Sequence, residues 1–305
     1  MFDDNLVEIQ KAFAEGAGAE SVNQFAKLVG NLLPFVGVKR TAIDTYIREI
    51  QKSDLAPEYK LIAIANVKKT YKQMSNQISI AKIAQESSKE GTDFSEKSKV
   101  DDEWLDRFFD SAKFVSRQDA QLIWGKVLAN EFEKPGDTPP QVIRILSEIT
   151  PSLANVFSNI CSLNTQLQLF NPVGHISGVS SALFIQTPKN QNYLNRLGIN
   201  FNSLNELKTI GLINFDNIAG FINRFTKDTV HKIHLLYGSQ TATINDYKSE
   251  NFPIGNVLLT NAGNFISSFV TKRHIDGHFE STKEFLSKNN VLFSETPEIH
   301  TNQKH

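Results

Sequence analysis

The chain has 305 residues, a formal net charge of −1, a single cysteine and 22 phenylalanines. A chain of this length buries about three quarters of its unfolded surface, so its core requires neither disulfides nor a structural metal. The balanced charge excludes a strongly basic nucleic-acid-binding coat. Because Cys161 is the single cysteine, a disulfide framework is excluded and the cytoplasm is favoured. We expect Cys161 to be a buried, unreactive thiol.

The first ten residues are acidic where a secretory signal peptide would be basic, which also favours a cytoplasmic protein. The longest apolar stretch of this region, Leu32 to Val38, is shorter than the ~20 residues that a bilayer requires. Peripheral membrane contact through Phe25 to Val38 stays an alternative, because Lys39 and Arg40 follow the apolar residues. A helix that packs on the body of the protein is favoured.

Residues 1–90 are predicted to form an N-terminal helical arm with a long helix from Pro57 to about Ser88. The apolar residues of this helix alternate three- and four-residue spacings, which is the pattern of a heptad seam. The seam consists of Ile64, Val67, Tyr71, Met74, Ile78 and Ala81. It predicts pairing with another helix of the chain or with a second copy, so these positions are candidates for self-association. Residues 87–99 are polar and charged, which is typical of a linker.

Residues 100–165 are predicted to form a central helical bundle of four short helices. Each apolar segment follows a helix-start signal. These signals are Asp101 or Asp102, Ser116 with Asp119, Thr138 and Thr150. The next segment is unusual, because residues 149–188 contain no Asp, Glu, Lys or Arg. Such a stretch is either buried or forms a contact face, and its aliphatic spacing favours burial.

Residues 166–295 are predicted to form a winged-helix-like module, followed by a disordered tail over 296–305. Its outline is a helix from Phe201 to Gly211, a hairpin with a turn at Gly238, and a helix from Asn261. The predicted fold class is therefore mainly α with a smaller α+β part: a helical arm and a helical bundle followed by a winged-helix-like module.

Basic residues of this module are the candidates for contact with nucleic acid, because DNA-binding modules place positive side chains against phosphates. These residues are Lys208, Arg224, Lys227, Lys232, Lys272 and Arg273. Nearby acidic residues leave only a small positive surplus, so DNA binding is not the favoured interpretation.

His274 and His278 are weak candidates for a metal site, since two histidines four residues apart on a helix can bind one ion. Gly277 argues against such a helix, and we expect no metal and no cofactor. The sequence contains no phosphate-binding loop, no nucleophile elbow and no zinc-protease motif. We therefore assign no catalytic residue, and a hydrolase or nuclease stays the third hypothesis.

Asp102 to Leu163 contains a Trp-x-x-x-Phe-Phe helix, a second tryptophan helix and a Pro-Gly turn. This stretch resembles the core of an uncharacterised bacterial domain family, whose downstream half also matches around Gly211 to Ile213. The matched core residues are Trp104, Phe108, Trp124, Glu131, Pro135 and Gly136. The same core is similar to the abortive-infection alpha family, which is associated with defence against phage. The resemblance implies no established reaction, and we expect Glu131 to accept hydrogen bonds from the loop that follows it.

The leading hypothesis is a cytosolic bacterial anti-phage defence or stress protein without a catalytic site. It would act by binding a protein partner or phage component and by forming a homo-oligomer. The alternative, from a different class, is a winged-helix DNA-binding regulator.

Overall fold

The structure of the chain is a computed structural model. The described residues are 40–94, 99–185, 191–226, 228–247 and 251–294. The predicted interfacial segment Phe25 to Val38, the predicted tail and Lys227 lie outside the described residues. The chain divides into two compact units, Met1–Ser147 and Glu148–His305.

The first unit is helical in its described part. Its helices are α1 (Arg40–Lys52), α2 (Pro57–Ser87), α3 (Asp102–Ala112), α4 (Gln118–Glu133) and α5 (Val142–Glu148). The predicted long helix is confirmed, and it starts at Pro57 because proline fits the first helical position. It packs most extensively against α4, and also against α3 and α1.

An aromatic cluster joins α3 and α4. Asp101 caps α3 by accepting a 2.8 Å hydrogen bond from the backbone amide of Trp104, as predicted. The ring centroids of Phe108 lie 5.0 Å from those of both Trp104 and Trp124. The family-matched aromatic residues therefore form core packing. Gly125 lies where α4 meets α2, because a methyl group there would overlap the side chain of Ile83.

The second unit begins with a helix, contains all nine strands of the described residues and interleaves further helices with them. Its helices are α6 (Pro151–Ser162), α7 (Gln191–Arg196), α8 (Phe201–Ile210), α9 (Asn261–Ser267) and α10 (His278–Lys288). Its strands are β1 (Thr165–Phe170), β2 (Ile176–Ala182), β3 (Ile213–Phe215), β4 (Phe221–Arg224), β5 (Lys232–Tyr237), β6 (Gln240–Tyr247), β7 (Asn251–Gly255), β8 (Val257–Leu259) and β9 (Val291–Phe293).

A five-stranded antiparallel sheet forms the centre of this unit, in the order β2-β1-β5-β6-β9. One face is apolar, because Leu167 of β1 is opposite Leu235 of β5, and both are fully buried. Two short ladders, β3 with β8 and β4 with β7, complete the strand pairing of the described residues.

The predicted fold class is wrong, because this unit is not a winged-helix-like module appended to a mainly helical protein. The hairpin at Gly238 forms, but β5 and β6 are central strands of a five-stranded sheet and not a wing. The uncharged stretch supplies β1 and β2, whose pairing with β5 extends the sheet. Its TQLQLF segment alternates polar and apolar residues with the period of a strand.

Several local predictions for this unit are confirmed. α8 ends at Gly211, whose φ of 91° is the left-handed conformation that glycine favours at a helix end. Thr150 caps α6 by accepting a backbone amide hydrogen bond from Leu153. The predicted helix from Asn261 is α9, and Thr260 caps it by accepting from the amide of Gly263. The helical signals of this unit and the hairpin at Gly238 were therefore correct, whereas the sheet to which the hairpin belongs was missed.

Candidate functional site

His278 is a fully buried polar residue of the second unit. It is the first residue of α10, it follows Gly277 with a φ of 78°, and its exposed fraction is 0%. Its Nε2 lies 2.9 Å from the carbonyl oxygen of Leu163, and its Nδ1 lies 2.9 Å from the hydroxyl of Tyr193. A carbonyl oxygen only accepts, so Nε2 carries the proton and Nδ1 accepts from Tyr193.

Both ring nitrogens of His278 are therefore engaged by protein groups, and the acceptor lone pair on Nδ1 is directed at Tyr193 and not at solvent. Burial lowers the pKa of His278 to about 4, so the ring is neutral at physiological pH. His274, the other candidate metal ligand, is half exposed and pairs at 3.6 Å with Asp276. The structure does not bring these two histidines together as ligands, and the described residues hold no cluster of three His, Cys, Asp or Glu side chains suited to a metal ion.

Tyr237 lies beside His278 and forms two further hydrogen bonds near the end of α6 and the start of α10. Its hydroxyl donates to the carbonyl oxygen of Ser162 at 3.0 Å and accepts from the amide of Ile275 at 2.9 Å. Its ring centroid lies 4.9 Å from that of His278. Burial raises the pKa of Tyr237, and also that of Tyr193, so both hydroxyls stay protonated and able to donate. We call His278, Tyr193 and Tyr237 the His278 cluster; it holds the end of α6 against the start of α10.

Nothing in the sequence indicates Tyr193 or Tyr237 as members of this cluster. Tyr193 lies 85 residues from His278 along the chain, and the two residues meet only because the sheet folds between them. The signal that was available, the spacing of His274 and His278, suggested a metal pair and not a buried hydrogen-bonded histidine.

A surface groove of about 550 Å³ lies beside Tyr193 and runs along α10. Glu280, Lys283 and Glu284 contribute its charged groups. Lys283 pairs with Glu280 at 3.3 Å, so the groove carries a partly neutralised acidic lining. This arrangement offers a polar surface without a positioned nucleophile.

The predicted nucleic-acid-binding residues are dispersed over several elements. Lys208 on α8 donates to the carbonyl oxygen of Phe215 at 3.1 Å. Arg273 donates from Nη2 to Oδ1 of Asn159 at 2.8 Å, and Asn159 in turn donates to the carbonyl oxygen of Leu197. Arg224 on β4, Lys232 on β5 and Lys272 after α9 are exposed. Two of the six residues thus have structural hydrogen bonds, and Lys227 lies outside the described residues.

Glu131 is buried in the first unit, with an exposed fraction of 2%. Its Oε1 accepts a 2.7 Å hydrogen bond from the backbone amide of Gly136. The predicted role of Glu131 in the following loop is confirmed. The φ of 82° at Gly136 directs the chain back toward this carboxylate after the exposed Pro135.

Cys161 is also buried, and its burial raises the pKa of the thiol to about 12. The prediction of a buried thiol is confirmed, and the raised pKa disfavours the thiolate, which is the nucleophilic form.

The heptad seam of α2 is used within the chain along much of its length. Met74 is buried, and the other four self-association candidates are half-buried. These four are Ile64, Val67, Tyr71 and Ile78. Two buried polar residues on the same helix were not predicted: Asn76 and Gln77 donate to the carbonyl oxygens of Lys113 and Phe109, each at 2.8 Å. Self-association through the seam stays a prediction.

The first two turns of α2 expose large apolar side chains. Tyr59, Leu61 and Ile62 are 65%, 70% and 58% exposed. We call these three residues the α2 surface. Tyr59 and Ile62 are three residues apart and therefore lie next to each other on the helix, and exposed apolar side chains that lie together are typical of interaction sites.

A family model described as "Protein of unknown function (DUF2806)" matches residues 65–282. The match spans more than half of the chain, so the chain belongs to this family. The comparison with curated proteins finds no match, and neither does the comparison with solved structures. In the described part of the chain, no helix has both the length and the apolar character needed to cross a bilayer.

Proposed function

We propose that this protein acts in the bacterial cytoplasm by binding other proteins, as part of a response to phage infection or stress, and that it catalyses no reaction of its own. It self-associates and also captures a protein partner, which is a host protein or a phage component. The observation that carries the proposal is the α2 surface.

The charge around the α2 surface supports a defined partner chemistry. Between Pro57 and Lys72 the helix carries four lysines and one glutamate. Apolar side chains surrounded by lysines favour a partner that presents apolar groups within an acidic surface, because opposite potentials accelerate encounter and disfavour other partners. We propose such an acidic protein as the ligand of α2.

The polar groups that would be the first candidates for chemistry have structural roles or are buried. Oε1 of Glu131 holds a loop while its Oε2 is buried with no hydrogen-bond partner among the described residues, His278 is neutral with both nitrogens engaged, and the thiol of Cys161 is buried. These roles support an interaction function over a catalytic one. The resemblance of the aromatic core to the abortive-infection alpha family supports the defence setting.

Phage plating on bacteria that carry or lack the gene tests the proposal. We expect the gene to lower plating efficiency for at least one phage of a broad panel. The double variant Tyr59→Ser with Ile62→Ser should restore plating, because it removes apolar contact area and leaves the lysines in place. Phe114→Ser is the matched control, since Phe114 belongs to the same unit and is 68% exposed.

Two results would count against the proposal. The first is plating that does not depend on the gene for any phage of the panel and no effect on survival of stress. The second is protection that the α2 double variant retains in full, which would remove the α2 surface from the function.

A further inference from the structure

We propose that two copies of this protein associate by pairing β2 with β2 in antiparallel orientation across a two-fold axis. The two five-stranded sheets then become one ten-stranded sheet. This inference deepens the proposed function, because it assigns the surface through which the protein self-associates.

β2 is the edge strand of the central sheet. It is seven residues long and pairs with β1 on one side. Within the part of the chain that the structure describes, no ladder forms on the other side of β2. Its C-terminal end is nevertheless in contact with other strands, because Leu183 bridges Gly255 and Val257, and Asn223 of β4 donates a 2.9 Å hydrogen bond to Oγ of Ser180. The part of the edge that is open to pairing is therefore the part around Ile176 and Val179. An edge of this kind presents a row of backbone amide and carbonyl groups that can form a ladder with another strand.

β2 lacks the charge and the proline with which many proteins protect exposed edges, although it has a register shift against β1, which can also protect an edge. Short length, charged side chains, especially lysine, and proline prevent unwanted strand pairing. The other outer strands of this unit show such features: β9 has three residues, β4 contains Arg224 and β7 contains Pro253. The β2 sequence ISGVSSA contains no charge and no proline.

The exposed apolar side chains of β2 lie on a single face. Val179 is opposite Gln168 and Ile176 is opposite Phe170, and residues two apart on β1 share a face. The register shift at Leu169/Phe170 places Ile176 and Val179 together although they are three residues apart. They are 57% and 58% exposed.

Charge indicates a second copy as the occupant. Antiparallel pairing across a two-fold axis places a strand against its own sequence, so any charged residue near the axis meets a like charge. Residues 149–188 contain no Asp, Glu, Lys or Arg. Self-pairing of β2 therefore brings no like charges together, and Ile176 of one copy can contact Val179 of the other.

Light scattering on the full chain after size-exclusion chromatography tests the proposal. We expect wild-type protein to have twice the mass of one chain and to dissociate on dilution. Val179→Lys should raise the dimer dissociation constant at least about tenfold, because a charged side chain then replaces the apolar group that contacts Ile176 of the other copy. Val173→Lys is the matched control, since Val173 is 77% exposed and lies in the turn before β2.

A cross-link provides a measurement that does not depend on a destabilising substitution. The double variant Ile176→Cys with Val179→Cys should form a disulfide between two chains under mild oxidation. Val173→Cys should not do so. Cys161 does not compete, because it is buried.

Three results would overturn the proposal. They are a wild-type monomer at every concentration, a dimer that Val179→Lys leaves intact with no cross-link, and a monomer that instead binds an extended peptide along β2. β2 pairing and the proposed function can fail separately. A dimer that behaves as expected, from a gene that has no effect on phage plating or stress survival, would support β2 pairing and contradict the proposed function. Circular dichroism and urea unfolding of Val179→Lys confirm that a loss of mass reflects dissociation and not unfolding.

Discussion

Tyr193 donates a 2.9 Å hydrogen bond to Nδ1 of His278 and thereby fixes the tautomer in which Nε2 donates to Leu163. The two residues come from helices that are far apart in sequence. Because of this relationship, substitution of a single residue of the His278 cluster should change the free energy of unfolding measurably.

Tyr193→Phe should lower the free energy of unfolding by about 1–3 kcal/mol, because Nδ1 of a buried histidine loses its donor. Urea unfolding followed by circular dichroism measures this difference. Tyr59→Phe is the control, since Tyr59 is 65% exposed and its substitution should change stability by less than about 0.5 kcal/mol. Equal stability of Tyr193→Phe and wild type would show that the hydrogen bond does not stabilise the fold.

The stability of the protein should decrease as the pH falls from about 6.5 to about 4. The pKa of His278 is about 4 in the folded chain, against about 6.5 for an unperturbed histidine. The unfolded state therefore binds more protons in this window, so the free energy of unfolding falls by up to ~3 kcal/mol as the pH is lowered. The contribution is fully present above about pH 6.5 and is lost at about pH 4.

His278→Gln isolates the contribution of this residue, because a glutamine amide can donate to Leu163 but does not titrate. Its unfolding free energy should depend less on pH over the same window. Some dependence should remain, since burial and nearby Lys232 also lower the pKa of His234. His231→Asn should keep the wild-type dependence because His231 is exposed. The same pH dependence in His278→Gln and wild type would contradict the assignment.

Glu131→Ala should lower the free energy of unfolding by about 1–3 kcal/mol, because the part-buried hydrogen bond from the amide of Gly136 to the side chain of Glu131 is lost. Glu131→Gln should cost less, since its side-chain oxygen can still accept. Urea titration of both variants gives the comparison. Glu103→Ala serves as an exposed control, since the side chain of Glu103 is 83% exposed. A glutamine variant as unstable as the alanine variant would argue that the carboxylate has another role.

We expect no salt-sensitive gel shift with random duplex DNA. The six predicted basic residues do not lie on one element, and Lys208 and Arg273 already donate to protein groups. Phosphate contacts would weaken steeply as salt is raised. A shift that disappears both at higher salt and in Arg224→Ala with Lys232→Ala would restore the DNA-binding hypothesis.

Local sequence signals predicted the helices well. Pro57, Asp101 and Thr150 each mark a helix start, since capping and proline geometry depend only on neighbouring residues. Ser116 was assigned wrongly, because α4 begins after Arg117 without a side-chain cap.

The sheet could not be predicted in the same way. Pairing of β1 with β5 joins residues more than 60 positions apart, and no local pattern specifies which strands become neighbours. The predicted hairpin at Gly238 was correct because a turn is local. Its position in the middle of a sheet depends on pairing with β1 and β9, which lie far away along the chain. The local order of helix, hairpin and helix therefore suggested a winged-helix-like module, which was wrong.

Of the two proposed contact surfaces, one lies inside the range of the family match and the other lies outside it. The match covers residues 65–282, so β2 lies within it while Tyr59, Leu61 and Ile62 precede it. Sheet pairing through β2 would then be a property that other family members can share. β2 pairing is therefore the proposal that can be tested on other members of the family, whereas the α2 surface is tested on this chain.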